Sequence, residues 1–319
     1  MPFLKAMRLI DALGCVGSAI ILLLASAWIP LVGPFLSLLT PLPFLYYATK
    51  TGLKAGLKVA VITGIVVGLL ANMAGYPHMI TLYVELSLMG MILAAIYKRP
   101  ISFGLAVFWG TVSMLLIGII IIVMIGLTKN LGPPTLILDY FQRNLRETLQ
   151  LYQNMGPDQE GALQLQEYVK VMVEIIARIY PALLIVGTGF IVWLNMVISR
   201  PLFRMTHLEY PDFGPTDRWL APERMVWGLI AAGFSLFLPL PGLKFLAINA
   251  IIVLSVIYVF HGLSIVLFFF NKYHVPSWLR IGAYLLIIFQ QIVMVGLAMA
   301  GLFDQWVDFR KIHSKKVTE

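Results

Sequence analysis

Glu85 stands in the run Tyr83-Val84-Glu85-Leu86-Ser87, with apolar sequence on both sides. A carboxyl at that depth in hydrocarbon is costly, so it faces the interior of a helix bundle and either binds a ligand or proton or hydrogen-bonds a neighbouring helix. Asn72, His78, His261, Gln290 and Gln291 are the other polar side chains within or beside apolar runs. For each, an interhelical hydrogen bond competes with a ligand contact. Asn72 and His78 flank the short turn before the run that carries Glu85, which makes them candidates for one polar cluster with it. Asp11, three residues after Arg8, is expected to pair with it, and Asn195, five before Arg200, is expected at the membrane interface.

The established catalytic signatures are missing: there is no HExxH, CxxC, Walker lysine loop, GxSxG or dinucleotide fingerprint. The five histidines lack a second ligand at metal spacing, so neither a metal nor a cofactor is expected. A non-enzyme is therefore the first expectation, and an intramembrane enzyme using Glu85 would need a second catalytic group that the sequence does not supply. Without an ATP-binding motif the chain cannot drive transport by hydrolysis on its own.

These residues need elements to carry them, and the composition says which. Of 319 residues, 60% are hydrophobic and 12% charged, about half the charge of a soluble domain, and the mean hydropathy is +0.89. The chain reads as an all-α polytopic membrane protein lying in a lipid bilayer. A single cysteine excludes a disulfide scaffold, and the net charge of +8 reflects loop lysines and arginines rather than nucleic-acid binding. Apolar stretches fall near residues 9–29, 31–48, 52–74, 78–97, 101–127, 176–199, 225–240, 243–270 and 279–303. That predicts eight or nine transmembrane helices, eight if the short second or seventh stretch is re-entrant. Pro34, Pro41 and Pro43 mark the second as kinked or broken, with freed carbonyls that need partners inside the bundle.

Four segments follow: a five-span bundle over 1–127, an insertion over 128–175, a four-span bundle over 176–303 and a basic tail over 304–319. In the insertion Leu138, Phe141, Leu145, Leu149 and Tyr152 share one helical face, with Arg143, Arg146 and Glu147 opposite. A break at Asn154-Met155-Gly156-Pro157 and a second run from Gly161 predict an amphipathic hairpin on the membrane surface that feeds into the sixth span.

Lys5, Arg8, Lys50, Lys54, Lys58, Lys98 and Arg99 all fall on one side of the first five spans and none falls on the other, which predicts a cytoplasmic N-terminus. Lys5 and Arg8 before an apolar run ending in Ala25-Ser26-Ala27 imitate a cleavable signal, but Asp11 inside that run argues for a retained helix. In the third span Gly52, Gly56, Ala60, Gly64 and Gly68 recur every four residues, a stripe that lets another backbone approach closely, from this chain or from a membrane partner.

The segment Tyr258-Val259-Phe260-His261-Gly262-Leu263-Ser264, then Phe268-Phe269-Phe270, Pro276, Leu279-Arg280, Gly301-Leu302-Phe303-Asp304 and Asp308-Phe309-Arg310 resembles the C-terminal pattern of the YybS-like family of uncharacterised bacterial membrane proteins. The likeness extends in length and layout over nearly the whole chain. It departs at His261, where the family pattern has a glutamine before Gly-Leu. That family is in turn distantly similar to the S components of energy-coupling-factor transporters, six-helix proteins that bind a vitamin or metal ion and dock on a membrane partner through small-residue motifs. The resemblance implies a bacterial inner-membrane protein with a small-molecule-binding or transport-related role, its N-terminal part S-component-like. The competing expectation is a membrane scaffold that recruits protein partners through the hairpin and the basic tail.

Overall fold

The computed structural model describes residues 2–29, 32–76, 79–154 and 159–311. Every regular element among them is helical: α1 (Pro2–Trp28), α2 (Gly33–Ser37), α3 (Pro41–Thr51), α4 (Leu53–Met73), α5 (Met79–Ile96), α6 (Phe103–Lys129), α7 (Pro133–Asn154), α8 (Gln159–Met205), a 3-10 turn (Thr216–Arg218), α9 (Arg224–Ser235), α10 (Pro241–Lys272), α11 (Ser277–Phe289) and α12 (Gln291–Val307).

Among the described residues five helices are long and apolar enough to cross a membrane: α4, α5, α6, the Glu167–Met205 part of α8, and α10. The bent pair α11–α12 makes a sixth if counted as one span, and Leu9–Ala25 of α1 is apolar but shorter. The expected eight or nine is therefore not met. Hydropathy averages over backbone breaks that end helices. The second stretch splits into α2 and α3, each with proline in its first turn, and α9 has 12 residues, about 18 Å against a hydrocarbon core of about 30 Å.

The insertion carries two helices, α7 and the first part of α8; the expected break at Asn154-Met155-Gly156-Pro157 lies, beyond Asn154, outside the described residues. The second is continuous with the sixth span as the 47-residue α8. On α7 Leu138, Phe141 and Leu145 are half-buried while Arg143 and Arg146 are exposed, and Arg143 pairs with Asp139 at 2.6 Å.

The chain divides into two compact units, Met1–Ile122 with Gly187–Gly214, and Val123–Val186 with Pro215–Glu319. This differs from the four consecutive segments expected, because α6 and α8 each contribute one end to each unit. In unit 1, α1 packs on α2, α3 and α4, and α3 packs on α5. At the α3–α5 contact Gly90 brings α5 against the Pro41 carbonyl, and a Cβ there would also meet Phe44 Cβ at 2.8 Å. In unit 2, α10 packs on α12 and α9. Its buried core gathers Ala221, Val226 and Tyr258.

Candidate functional site

The densest set of polar contacts lies in unit 2, where α10 and α12 touch at two glycines. A Cβ on Gly262 would collide with the backbone of Leu297, and one on Gly301 would meet the Tyr258 carbonyl and come within 2.7 Å of the Gly262 nitrogen. Backbones this close bring His261, one residue before Gly262, to Asp304, three after Gly301. His261 Nε2 and Asp304 Oδ2 are 3.1 Å apart, with the two side chains 0% and 1% exposed.

Asp308 then ends α12 in the left-handed conformation at φ 47°, which aspartate tolerates better than most residues. The chain reverses, Phe309 N–H donates to Asp304 Oδ1 at 2.9 Å, and Arg310 turns back into the protein. Arg310 Nη2 donates to Asp304 Oδ2 at 2.7 Å and to His261 Nε2 at 2.9 Å. Its Nη1 reaches Ser264 Oγ at 2.8 Å and the carbonyls of Asp217 and Trp219 at 2.9 and 3.2 Å. Ser264 Oγ donates to the same Trp219 carbonyl, and the Trp219 ring lies edge-on to the imidazole.

The geometry assigns the histidine's proton. Guanidinium nitrogens can only donate, so Nε2 must accept from Arg310 and the ring's proton sits on Nδ1. Nε2 and Asp304 Oδ2 are then two acceptors sharing one donor, side by side without a bond between them. A buried ion pair repays its desolvation only when its remaining hydrogen bonds are made, and this one draws on two helices, the 3-10 turn and the chain after α12, with the Arg310 Nε left without a partner among the described residues. The arrangement locks α10 to α12 and presents no reactive atom. Arg310 and Asp304 fall in the segment expected as a basic tail, and both are interior, because the pairing offsets the charge of each.

The other candidates do not join this cluster. Glu85 is half-buried on α5 and makes no hydrogen bond or ion pair among the described residues. Asn72 is exposed near the end of α4, with no hydrogen bond to Glu85, and His78 lies outside the described residues. Gln290 and Gln291, expected in mid-span, are exposed where α11 and α12 meet at 101°. Gln290 has extended backbone angles (φ −106°, ψ 102°), so the two helices do not continue as one.

The small-residue stripe works inside the chain. A Cβ on Gly56 would meet Ala48 Cβ of α3 at 2.7 Å and Met91 Sδ of α5 at 2.9 Å, and one on Gly64 would meet the Tyr83 ring at 3.0 Å. Tyr83 Oη also donates to the Ala60 carbonyl. At Gly68 the nearest contact is ordinary, Ile80 Cδ1 at 3.6 Å, and Gly52 is no part of the ridge but the positive-φ turn between α3 and α4. The reason is geometric: a step of four residues turns about 40° past a full circle, so a strict four-residue stripe winds off any one face. The buried face of α4 is Gly56, Val59, Ala60, Thr63, Val67 and Ala71.

Two asparagines that a reading of the sequence underrates bond backbone groups, one at the break between α2 and α3 and one beside a proline within α8. Asn195, expected at the interface, is 0% exposed, and its Nδ2 donates to the carbonyl of Leu38, between α2 and α3, and to that of Ile191. That is the partner the broken second stretch required. Asn249 on α10 accepts from Ala182 N–H and donates to the Arg178 carbonyl of α8, two groups that would bond each other in an unbroken helix. Pro181 lies between them. Asp11 pairs with Lys50 at 2.8 Å; the Arg8 side chain, its expected partner, lies outside the described residues. At the loop after α8, Tyr97, Phe203, Tyr210 and Phe213 meet edge to face, and Tyr97 Oη lies 2.6 Å from Ser199 Oγ. Burial pushes the Tyr210 phenol above its ordinary value, and its hydroxyl donates to the Met196 carbonyl. Aromatic residues scattered over more than a hundred positions gave no spacing from which to find this cluster.

The residues that form the α10–α12 lock are those of the C-terminal pattern, and comparison with known proteins places them in a family. The model described as "Predicted membrane protein (DUF2232)" matches residues 18–305. The chain belongs to this family. It is 24% identical over 303 residues to the uncharacterised protein YybS of Bacillus subtilis (strain 168), covering 92% of this chain and 93% of that one. No solved structure matches. The family match includes His261 and Asp304 and ends before Arg310.

Proposed function

We propose that the protein is a non-catalytic, multi-pass membrane subunit that binds a small molecule or cation in unit 1, with Glu85 as the contacting carboxyl. One observation carries this reading: Glu85 sits half-buried within the apolar helix Met79–Ile96 and has no polar partner among the described residues. An acid that served only to join helices would be hydrogen-bonded to one of them. A role in transport is the kind that the resemblance to S components implies, and it rests on fold analogy. The test compares wild type, Glu85→Gln and Glu85→Leu by thermal shift across pH, with and without a small-molecule extract of the host. Stabilisation of the wild type alone supports the reading. Identical responses of all three remove Glu85 from binding and leave a scaffold, for which the exposed arginines and half-buried apolar row of α7 are the recruiting surface.

We read the N-terminus as cytoplasmic and the membrane as the bacterial inner membrane. The Asp11–Lys50 pair is in keeping with the first part, since it holds the beginning of α1 level with the end of α3, beside the basic residues Lys50, Lys54 and Lys58. Gln153→Cys on α7 should then label from outside intact cells; labelling only after permeabilisation would reverse the topology.

A further inference from the structure

We propose that a basic cleft in unit 2, at the C-terminal end of α10, binds the phosphate of an anionic lipid headgroup. The cleft, about 450 Å³, is lined by Arg218, Lys272, Arg310 and Lys311, with Asp217 its single carboxylate. Asp217 Oδ2 already accepts from Asn271 at 3.0 Å. Arg310 is held by Asp304 and contributes a fixed, largely balanced charge. Arg218 and Lys272 are exposed and make no ion pair among the described residues, so the excess positive charge at the mouth is theirs. The larger cavity of the same unit, about 570 Å³, is lined by Glu223 with Arg224 and has no such excess.

An anion at a helix C-terminus is ordinarily repelled by the last free carbonyls. Here three of the four are taken: Phe269, Phe270 and Asn271 accept from Tyr273, Val275 and His274 N–H, and Phe270 also accepts from Arg280 Nη2. Lys272 lies over the Phe269 and Tyr273 rings, 5.9 and 5.6 Å from their centroids, which holds its ammonium near the cleft. A lipid is the fitting source of the phosphate because α10 is long and apolar enough to cross a membrane, which would bring its end to the headgroups, and half-buried Phe268 supplies an apolar wall. The inference does not depend on Glu85, which belongs to the other unit.

The test places the intact protein in nanodiscs of phosphatidylcholine, with or without phosphatidylglycerol, and adds inorganic phosphate to the detergent-solubilised protein as a separate arm. Phosphatidylglycerol should raise the melting temperature and be retained in native mass spectrometry. Arg218→Gln with Lys272→Gln should weaken that binding about five-fold for each cation removed, with melting in phosphatidylcholine unchanged. Lys98→Gln with Arg99→Gln, an equal charge change at the end of α5, should leave it intact. The proposal is overturned if the phosphatidylglycerol effect survives Arg218→Gln/Lys272→Gln, if the Lys98/Arg99 pair abolishes it equally, or if inorganic phosphate reproduces it.

Discussion

Unit 2 holds an aspartate and an arginine, each almost wholly buried and surrounded by hydrogen-bond partners, whereas unit 1 holds a half-buried glutamate with none among the described residues. Both acids sit on apolar helices, and a hydropathy profile treats them alike. The partners separate them. Asp304 uses both carboxylate oxygens and has nothing left to offer a ligand, so it tells us how α10 and α12 are held. Glu85 keeps its hydrogen-bonding capacity. In an apolar interior a satisfied polar group is evidence of architecture, and an unsatisfied one is the better place to look for binding.

The contrast breaks most completely at the glycines beneath the lock. Gly262→Ala puts a methyl group where the Leu297 backbone stands, and the expected result is loss of folded protein on size-exclusion chromatography. Next comes Arg310→Leu, which strands Asp304 and should cost about 3–5 kcal/mol in reversible unfolding. Adding Asp304→Leu should recover much of that loss, and purely additive costs would mean that the two do not act as a pair. In unit 1, Gly64→Leu should destabilise by about 1–3 kcal/mol, because the Tyr83 ring must move, while Gly68→Leu should cost clearly less. Equal melting points for the two would sink the account of the stripe. His261→Gln sharpens the comparison with a small effect: a glutamine oxygen can accept from Arg310 while its NH2 donates to Asp304, which neutral histidine cannot do at once, so stability should stay within about 1 kcal/mol of wild type or rise. Smallest of all is Glu85→Leu, expected within about 0.5 kcal/mol because no partner is stranded. A loss of several times that would reveal a structural bond and end its claim to a site.

Much of this was legible beforehand for physical reasons. Apolar runs, prolines and the amphipathic row of α7 act locally, so they disclosed the membrane class, the broken second stretch and the helices α7 and α8. The residues of the C-terminal pattern pointed to the right place without saying what they did there. What stayed hidden depends on distant partners or on single backbone angles. Gln290 sits inside a run whose average hydropathy hides an extended residue. Asn195 and Asn249 look like any asparagine in an apolar stretch until the gaps at Leu38 and Pro181 come into contact with them. Arg310 falls in a basic tail whose charges give no sign of burial, and only the left-handed turn at Asp308 reverses the chain to bury it.

That turn also imposes an order on biosynthesis. Arg310 follows every described helix, so a chain made from its N-terminus delivers His261 and Asp304 before their cation exists. Until then the polar contact between α10 and α12 here is the hydrogen bond that the imidazole's Nε2–H tautomer can donate to Asp304, and the contact at Gly262 and Gly301 lacks its charged clasp. Nascent chains arrested just before and just after residue 310 should therefore differ in protease resistance across 258–304. The final arginine acts as a latch thrown last, which leaves the helices of unit 2 free to adjust in the bilayer until the segment beyond α12 emerges.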